Sequence, residues 1–397
     1  MKNNLIDIDN RTKFITIPYL LPYNKKITIT AAVICKNEER CIKRCLLSLM
    51  GKFDEIIIID TGSEDSTINI INELKTNNFK LYSLEWNDNF SEVRNFALEK
   101  SNSDYILFID ADEELLSKKN TIINAFTFID SQHKNTNFIL CPMIIDQNGH
   151  ESIGVPRGFK LDNSFYYYGY VHEEIRSRIH NELFTIHYKI RIYHDGYTIE
   201  EMNNKDKINR NLRLINKNIE EEPNNIKWMY FYYRDSFDRL DPHLIINNIS
   251  MILKKDKEID LSQDNIINSE FSYAMLDLIA KASLYILPKE NEFSNILNLM
   301  DIIAPNNTNS LYYKSIYQLL IWKNMAHVIL QDLLSFKNDG SNHYGMINSK
   351  GYHINAALAF YMFECGFYSN SKEIFDYLLE ENFDIDLIKK YYSSFLV

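Results

Sequence analysis

Apolar runs that stop abruptly at acidic residues mark the first third of the chain. Tyr105-Ile-Leu-Phe-Ile109 is unbroken apolar sequence, the pattern of a strand buried on both faces. It ends at Asp110-Ala111-Asp112. Residues two apart on an extended chain point the same way, so both carboxylates can reach one object at the strand's carboxyl end. Open α/β sheets bind their ligands at that edge. Upstream, the stretches 26–34, 55–60 and 79–84 read as strands, the first ending at Cys35-Lys36-Asn37-Glu38-Glu39 and the second at Asp60-Thr61-Gly62-Ser63. Between them, Ile42, Cys45, Leu46 and Leu49 share one helical face closed by Gly51, and Ile68, Ile71 and Leu74 form the stripe of a helix over 64–75. A third helix is expected over 92–100 with Ser91 as its N-cap. This alternation predicts a parallel sheet with right-handed crossovers.

Beyond the aspartates the pattern predicts a helix over 117–130, a strand over 137–143, and short β runs over 152–161, 165–171 and 183–193. Two polar points interrupt those runs, Val171-His172-Glu173-Glu174 and Tyr193-His194-Asp195-Gly196-Tyr197. From about residue 203 the sequence is helical to Val397. Segments 228–237 with 243–254, and 356–366 with 371–380, have the size of tetratricopeptide-like hairpins, although the irregular period leaves a plain helical bundle open. Three parts are therefore expected: an arm over 1–26 containing Pro18 and Pro22, a catalytic domain over 27–200, and a helical domain over 201–397.

Charge narrows the function. The formal net charge of -11 argues against a nucleic-acid partner and against an anionic membrane surface. A phosphate-bearing substrate then requires a local cation. Residues 1–26 lack a secretory signal pattern, and no window approaches the roughly 18 apolar residues of a membrane span. The five cysteines are an odd number, consistent with reduced thiols and a cytoplasmic location. Cys35, Cys41 and Cys45 match no standard zinc spacing. Neither G-x-G-x-x-G nor a P-loop occurs, so a diphosphate lacks the usual glycine-rich cradle. Asp110 and Asp112 supply hard oxygen ligands for a divalent cation instead; the alternative is that they only solvate a strand end.

Ala32-Val33-Ile34-Cys35-Lys36-Asn37-Glu38-Glu39, Asp60-Thr61-Gly62-Ser63-Glu64-Asp65-Ser66-Thr67, Arg94-Asn95 and Asp110-Ala111-Asp112, in this order and spacing, resemble the family 2 glycosyltransferases. A narrower resemblance, to the sublancin-type peptide S-glycosyltransferases, is carried by 86–95, 170–174, 193–197, 205–213 and 223–228. It implies an α/β domain of GT-A (Rossmann-like nucleotide-diphospho-sugar transferase) fold followed by an all-α, tetratricopeptide-like domain for acceptor binding and dimerisation. The implied reaction is inverting, metal-dependent transfer of a hexose from a UDP-sugar, with glucose expected, to a Cys or Ser/Thr side chain of a bacteriocin precursor peptide. A cytoplasmic homodimer is implied, with no nucleic-acid or membrane partner.

The resemblance places Val33, Cys35, Asn37, Glu38, Asp60, Arg94, Asp110, Ala111 and Arg157 at the nucleotide sugar. Asp60 can accept the uracil imide N–H, or it is an Asx-turn residue. Arg94 sits in the first turn of its helix against the dipole and so needs a reason to be there. Asp112 is the expected principal metal ligand, with Asp110 and His194 beside it; an imidazole in the set leans toward Mn²⁺ over Mg²⁺. Arg157 caps the diphosphate or joins a surface ion pair. Inversion needs one base opposite the leaving group. Glu173 is the first choice, Glu174 the second, and His172 an orienting or sugar-contacting group. Competing readings are transfer to a lipid-linked or cell-surface polysaccharide, and an inactive helical-repeat peptide scaffold.

Overall fold

The computed structural model describes residues 26–131, 138–153, 155–179, 183–194, 205–338, 350–383 and 385–392. The expected arm, apart from Lys26, and Asp195-Gly196-Tyr197 lie outside these residues. The chain divides into two compact units, 1–235 and 236–397.

The first unit opens with β1 (Ile29–Cys35), α1 (Ile42–Leu49), β2 (Glu55–Asp60), α2 (Thr67–Leu74), β3 (Phe79–Ser83), α3 (Phe90–Lys100) and β4 (Tyr105–Asp110). The four strands pair in parallel in the order β3-β2-β1-β4. Their near-continuous apolar sequence buries both faces. Ala31, Val33, Ile56, Ile58, Leu107 and Ile109 face one core with Ile42, Leu46 and Leu49 of α1. The alternate residues Ala32, Ile57, Ile59, Ile106 and Phe108 face the other, with Val93 and Ala97 of α3. Gly51 follows α1 at φ +69°, the left-handed exit expected of it. The N-cap of α3 is Asn89 rather than Ser91: the Asn89 side chain accepts the Glu92 N–H, and Ser91 Oγ donates to Asn89 Oδ1.

After β4 the sheet is mixed; the expected β runs of this part carried no direction. β5 (Glu113–Leu115), α4 (Lys119–Ser131), β6 (Phe138–Ile145), β7 (Glu151–Ile153), β8 (Gly158–Lys160), β9 (Phe165–Tyr168), β10 (Glu174–Ser177) and β11 (Phe184–His194) follow. β8 pairs antiparallel with both β4 and β6, β6 pairs parallel with β11, and β5 runs antiparallel to β11 at the far edge. β9 and β10 form a separate hairpin. The inserted strand packs closely. Gly158 enters between β4 and β6 so tightly that a Cβ there would lie 3.0 Å from Phe126 and 3.2 Å from Leu107 and Leu140.

Helical sequence begins inside the first unit. α5 (Lys205–Glu221) and α6 (Ile226–Asp235) belong with the sheet, so the change from strands to helices and the division into units fall at different places. Asn218 of α5 donates to Val171 O at 3.0 Å and accepts the Tyr170 N–H at 2.7 Å. Trp228 of α6 is fully buried.

The second unit is helical: a 3₁₀ turn (Phe237–Arg239), α7 (Pro242–Leu253), α8 (Ser272–Ile286), α9 (Glu290–Ile303), α10 (Asn309–Asn338), α11 (Tyr352–Glu364), α12 (Tyr368–Glu380) and α13 (Ile385–Tyr392). Asp241 caps α7 with Pro242 at its first position. α11 and α12 form the expected hairpin, packed through Ala356, Ala359, Phe375 and Leu378 and tied by Ser371 Oγ donating to Ala359 O at 2.7 Å. No helix among the described residues is long and apolar enough to cross a membrane.

Gly169 offers a test of the α6 packing. Its φ is +104°, and a Cβ would lie 2.8 Å from Trp228 Cη2. Gly169→Ala should destabilise the protein by about 2–4 kcal/mol through backbone strain plus overpacking. Urea unfolding followed by tryptophan fluorescence measures this; a change below about 0.5 kcal/mol would contradict the packing.

Candidate active site

The carboxyl ends of β1, β2 and β4 meet at one rim, and short polar side chains lock their loops together. Asn37, at φ +56°, donates its N–H to Ser63 Oγ and accepts the Glu64 N–H on Oδ1. The Glu38 N–H donates to Thr67 Oγ1 at 2.7 Å, and Asp65 accepts from the backbone of Glu39 and Thr67. Asp60 accepts from Gly62 N at 3.0 Å and Ser63 N at 3.1 Å. It therefore builds an Asx turn, with acceptor capacity left over for a ligand. Val33, Cys35 and Ala111 are buried. The side chain of Val33 is in the core, so a ligand would meet its backbone. Burial foremost, and then the neighbouring Asp60 carboxylate, push the Cys35 thiol far above its ordinary value.

The turn after β4 is held from two sides. Glu113 Oε2 accepts the Asp110 N–H at 2.9 Å, folding Asp110 to Glu113 back on itself. From α1, Arg44 donates to Asp112 O at 2.9 Å and Ser48 Oγ accepts the Leu115 N–H at 2.9 Å. β5 then pairs with β11 in a register that sets Glu113 opposite His194. This brings a histidine some eighty residues away in sequence to Asp112: His194 Nδ1 lies 3.7 Å from Asp112 Oδ1 and 3.9 Å from Glu113 Oε1. The register thus juxtaposes two of the expected metal ligands.

Asp110 faces arginines. Its Oδ2 is 3.2 Å from Arg157 Nη2 and its Oδ1 is 3.8 Å from Arg94 Nη2. Arg157 also donates to Glu113 Oε2, and Arg94 Nε donates to Glu173 Oε1, both at 2.5 Å. The result is an alternating row: Glu173, Arg94, Asp110, Arg157, Glu113. Burial raises the Asp110 pKa, but Arg157, Arg94 and His194 outweigh it and hold the carboxyl below its ordinary value. Asp112 is raised, because burial foremost, with Asp110 beside it, outweighs His194 and the weaker pull of Arg157. Glu113, 1% exposed, is pushed up to about 7 by burial and then by Asp110. Of the three clustered acids, Glu113 is the one most ready to hold a proton.

The segment bearing His172, Glu173 and Glu174 is clamped by α3, α5 and α6. Asn95 pairs with the Tyr167 backbone in both directions, at 2.8 and 2.9 Å. Arg94 stacks over Phe108 and Tyr167 at 5.1 and 5.2 Å, so its position at a helix start is explained by these rings and Glu173. Glu174 is engaged by Arg176 and Lys227, each at 2.8 Å. His172, at φ +52°, stacks on Phe231 with ring centroids 3.9 Å apart, and its Nε2 lies 3.2 Å from Asp235 Oδ2.

Among the described residues no three acidic, histidine or cysteine side chains converge as a ready-made metal cage. The donor set still suits one type of ion. A carboxylate and an imidazole at one rim fit a divalent cation that completes its shell with substrate phosphates and water.

Residues 30–194 match the family model for Glycosyl transferase family 2. This segment is a family 2 glycosyltransferase domain. The match spans β1 to β11 and contains every expected site residue, so the mixed sheet and its rim are those of a GT-A-like fold. The glycosyltransferase SunS of Bacillus subtilis is 34% identical over 208 residues, 52% of this chain and 49% of SunS. A TPR repeat-containing protein of Synechococcus elongatus is 38% identical over 104 residues, 26% of this chain and 24% of that protein. The poly(ribitol-phosphate) beta-N-acetylglucosaminyltransferase TarS of Staphylococcus aureus is 30% identical over 129 residues, 30% of this chain and 21% of TarS. The chain spans about half the length of SunS and less of the other two.

Sequence reasoning left out Glu113, Phe231 and Asp235. Glu113 had a visible signal, the run Asp110-Ala111-Asp112-Glu113-Glu114. Phe231 and Asp235 lie in an aromatic helix that reads as core, and only its packing on His172 distinguishes them.

The clamp on this segment is pH-dependent. Glu222 accepts both Arg176 Nη1 and Nη2, the Asn225 side chain and Trp228 Nε1, at 2.7–2.9 Å. The Arg176 hydrogen bonds foremost hold its pKa down at about 2. A depressed carboxylate stabilises the fold above its ordinary pKa, and that contribution is lost as pH falls toward the folded value. Glu222→Gln should therefore lower stability at pH 7, and the deficit should shrink between about pH 4.5 and about pH 2. Urea midpoints across that window measure it; a deficit constant with pH would refute the assignment.

Proposed function

We propose that the protein is an inverting, metal-dependent transferase that moves a hexose, glucose first among candidates, from a UDP-sugar to a Cys or Ser/Thr side chain of a short peptide. The observation that carries the reading is the rim at the end of β4. There Asp112 and His194 lie 3.7 Å apart, beside an Asp110 already flanked by two arginines. Asp112 and His194 would hold Mn²⁺ or Mg²⁺. Bound there, the cation supplies charge to the departing diphosphate. Asp60 keeps acceptor capacity for uracil, and Asn37 and Glu38 line the same rim. The base lies in the segment 172–174, which Arg94 links to Asp110.

The peptide acceptor takes its support from the similarity to SunS, and the helical unit as its grip and a homodimeric, cytoplasmic enzyme belong to the same reading through the sublancin-type resemblance of the sequence. A thiol acceptor, with a pKa near 8.5, asks less of the base than a hydroxyl does. The similarity to TarS favours a second reading, a polymeric cell-surface acceptor. Incubating the protein with UDP-glucose or UDP-N-acetylglucosamine, Mn²⁺, and either Cys- and Ser-containing peptides or poly(ribitol phosphate) separates the two. A hexose mass added to peptide supports the first reading, and sugar added only to polymer supports the second.

Two expected outcomes test the metal directly. UDP binding, measured by calorimetry, should tighten at least about tenfold on adding Mn²⁺ and revert with EDTA. Asp112→Asn should abolish most of that increment while leaving the metal-free affinity within about threefold. Equal UDP affinity with and without metal would sink the assignment.

A further inference from the structure

We infer that His172 and Asp235 form a dyad in which His172 Nδ1 takes the acceptor's proton, with Asp235, Arg234 and Phe231 as positioning residues. This rests on the transferase reading and assigns its base. Glu173, the obvious carboxylate, has Oε1 occupied by Arg94 at 2.5 Å. Glu174 has both oxygens occupied, by Arg176 and Lys227. His172 is held on three sides for a different purpose.

Its ring lies flat on Phe231, 8° from parallel, which fixes the plane. Its Nε2 meets two groups of opposite charge, Asp235 Oδ2 at 3.2 Å and Arg234 Nη2 at 3.3 Å. Arg234 itself donates to Asp235 Oδ1 at 2.7 Å. Arg234 Nη2 is already taken up by Asp235 Oδ1 at 2.7 Å, so the shorter contact, to the Asp235 carboxylate, sets the tautomer: the proton is assigned to Nε2 and donated to Asp235. That tautomer leaves the lone pair on Nδ1, and no described residue donates to it. Asp235 is held ionised: burial works against its charge, but the His172 hydrogen bond and Arg234 keep its pKa below the ordinary value.

The backbone agrees. His172 stands at φ +52°, a region uncommon for residues other than glycine, and strain of this type collects where a side chain must be aimed. The next residue, Glu173, touches Arg94, which lies 3.8 Å from Asp110, so the dyad is one residue from the row that ends at the rim.

The step balances. The acceptor sulfur or oxygen forms its bond to the anomeric carbon as the bond from that carbon to the diphosphate oxygen breaks. The nucleoside diphosphate leaves with that electron pair. The acceptor's proton passes to Nδ1, and the resulting imidazolium is stabilised through Nε2–H by Asp235.

Glycine is at ease at φ +52°, so His172→Gly removes the ring without backbone strain and opens a slot against Phe231 for free imidazole. With the full chain, Mn²⁺ and UDP-glucose, and water as the acceptor, hydrolysis by His172→Gly should fall at least about 100-fold. UDP affinity should stay within about threefold, and about 0.1 M imidazole should restore activity at least about tenfold. Asp235→Asn should lower kcat about tenfold or more with KM little changed, and Asp235→Glu should recover part of it. Hydrolysis within about threefold of the parent in His172→Gly, or a loss that imidazole leaves untouched, overturns the dyad. Failure of the unaltered chain to bind UDP or to turn over UDP-glucose overturns the transferase reading instead.

Discussion

The first unit depends on how charge is arranged at the end of β4. Glu173, Arg94, Asp110, Arg157 and Glu113 alternate in sign through contacts of 2.5–3.8 Å. Each arginine lies between two carboxylates drawn from different elements: Arg94 joins the segment after β9 to β4, and Arg157 joins β4 to β5. Half-buried ion pairs of this type add little net stability, because desolvation offsets much of the attraction. Removing one member is another matter, since its partners are left as uncompensated buried charge. The row therefore acts less as glue than as a constraint, holding three loops in one geometry so that a ligand meets a rim already assembled.

A second device supports the first from behind. α5 and α6 add no strand and carry no residue of the family match, yet they fix the segment 165–177. Asn218 pairs with the Val171 and Tyr170 backbone, Glu222 takes Arg176, and the buried Trp228 leaves room only for a glycine at 169. These contacts explain why the first unit continues to residue 235: without the two helices, the loop bearing His172 and Glu173 would be secured only from the side of α3, by Phe90, Arg94 and Asn95.

The parallel half of the fold was legible in sequence because its strands are apolar on both faces and end at acids, a pattern that helices and surface strands do not share. Short edge pieces were not. β5 and β10 have three and four residues, too few to display a period; the expected run 152–161 contains β8, but its insertion between β4 and β6 on a closely packed glycine is visible only in three dimensions. Site residues divide in the same way. Asp110, Asp112 and Asp60 stand at strand ends and announce themselves. His194 was legible as a histidine at the end of a β run, while its placement beside Asp112 needed the β5–β11 register. Asp235 was hidden, because an acid at the end of an aromatic helix has many uses and its partner is sixty residues away.

The charge balance of the rim bears on the chemistry. Asp110, Asp112, Glu113 and Glu173 outnumber Arg94 and Arg157 by two, and a proton on Glu113, whose pKa is pushed up to about 7, still leaves an excess acid. Both guanidinium groups already have two carboxylates each, so neither is a free cation for an incoming diphosphate. A nucleoside diphosphate entering this rim would add like charge to like charge at short range in a partly desolvated setting, where such repulsion is severe. The domain also lacks the glycine-rich cradle that other nucleotide folds use. On the proposed reading, positive charge would arrive with the substrate. The position short of it is Asp112, whose carboxyl pKa is raised by burial foremost and by Asp110 against the pull of His194, 3.7 Å away, so the electrostatics and the donor chemistry agree with the divalent cation of the proposed reading.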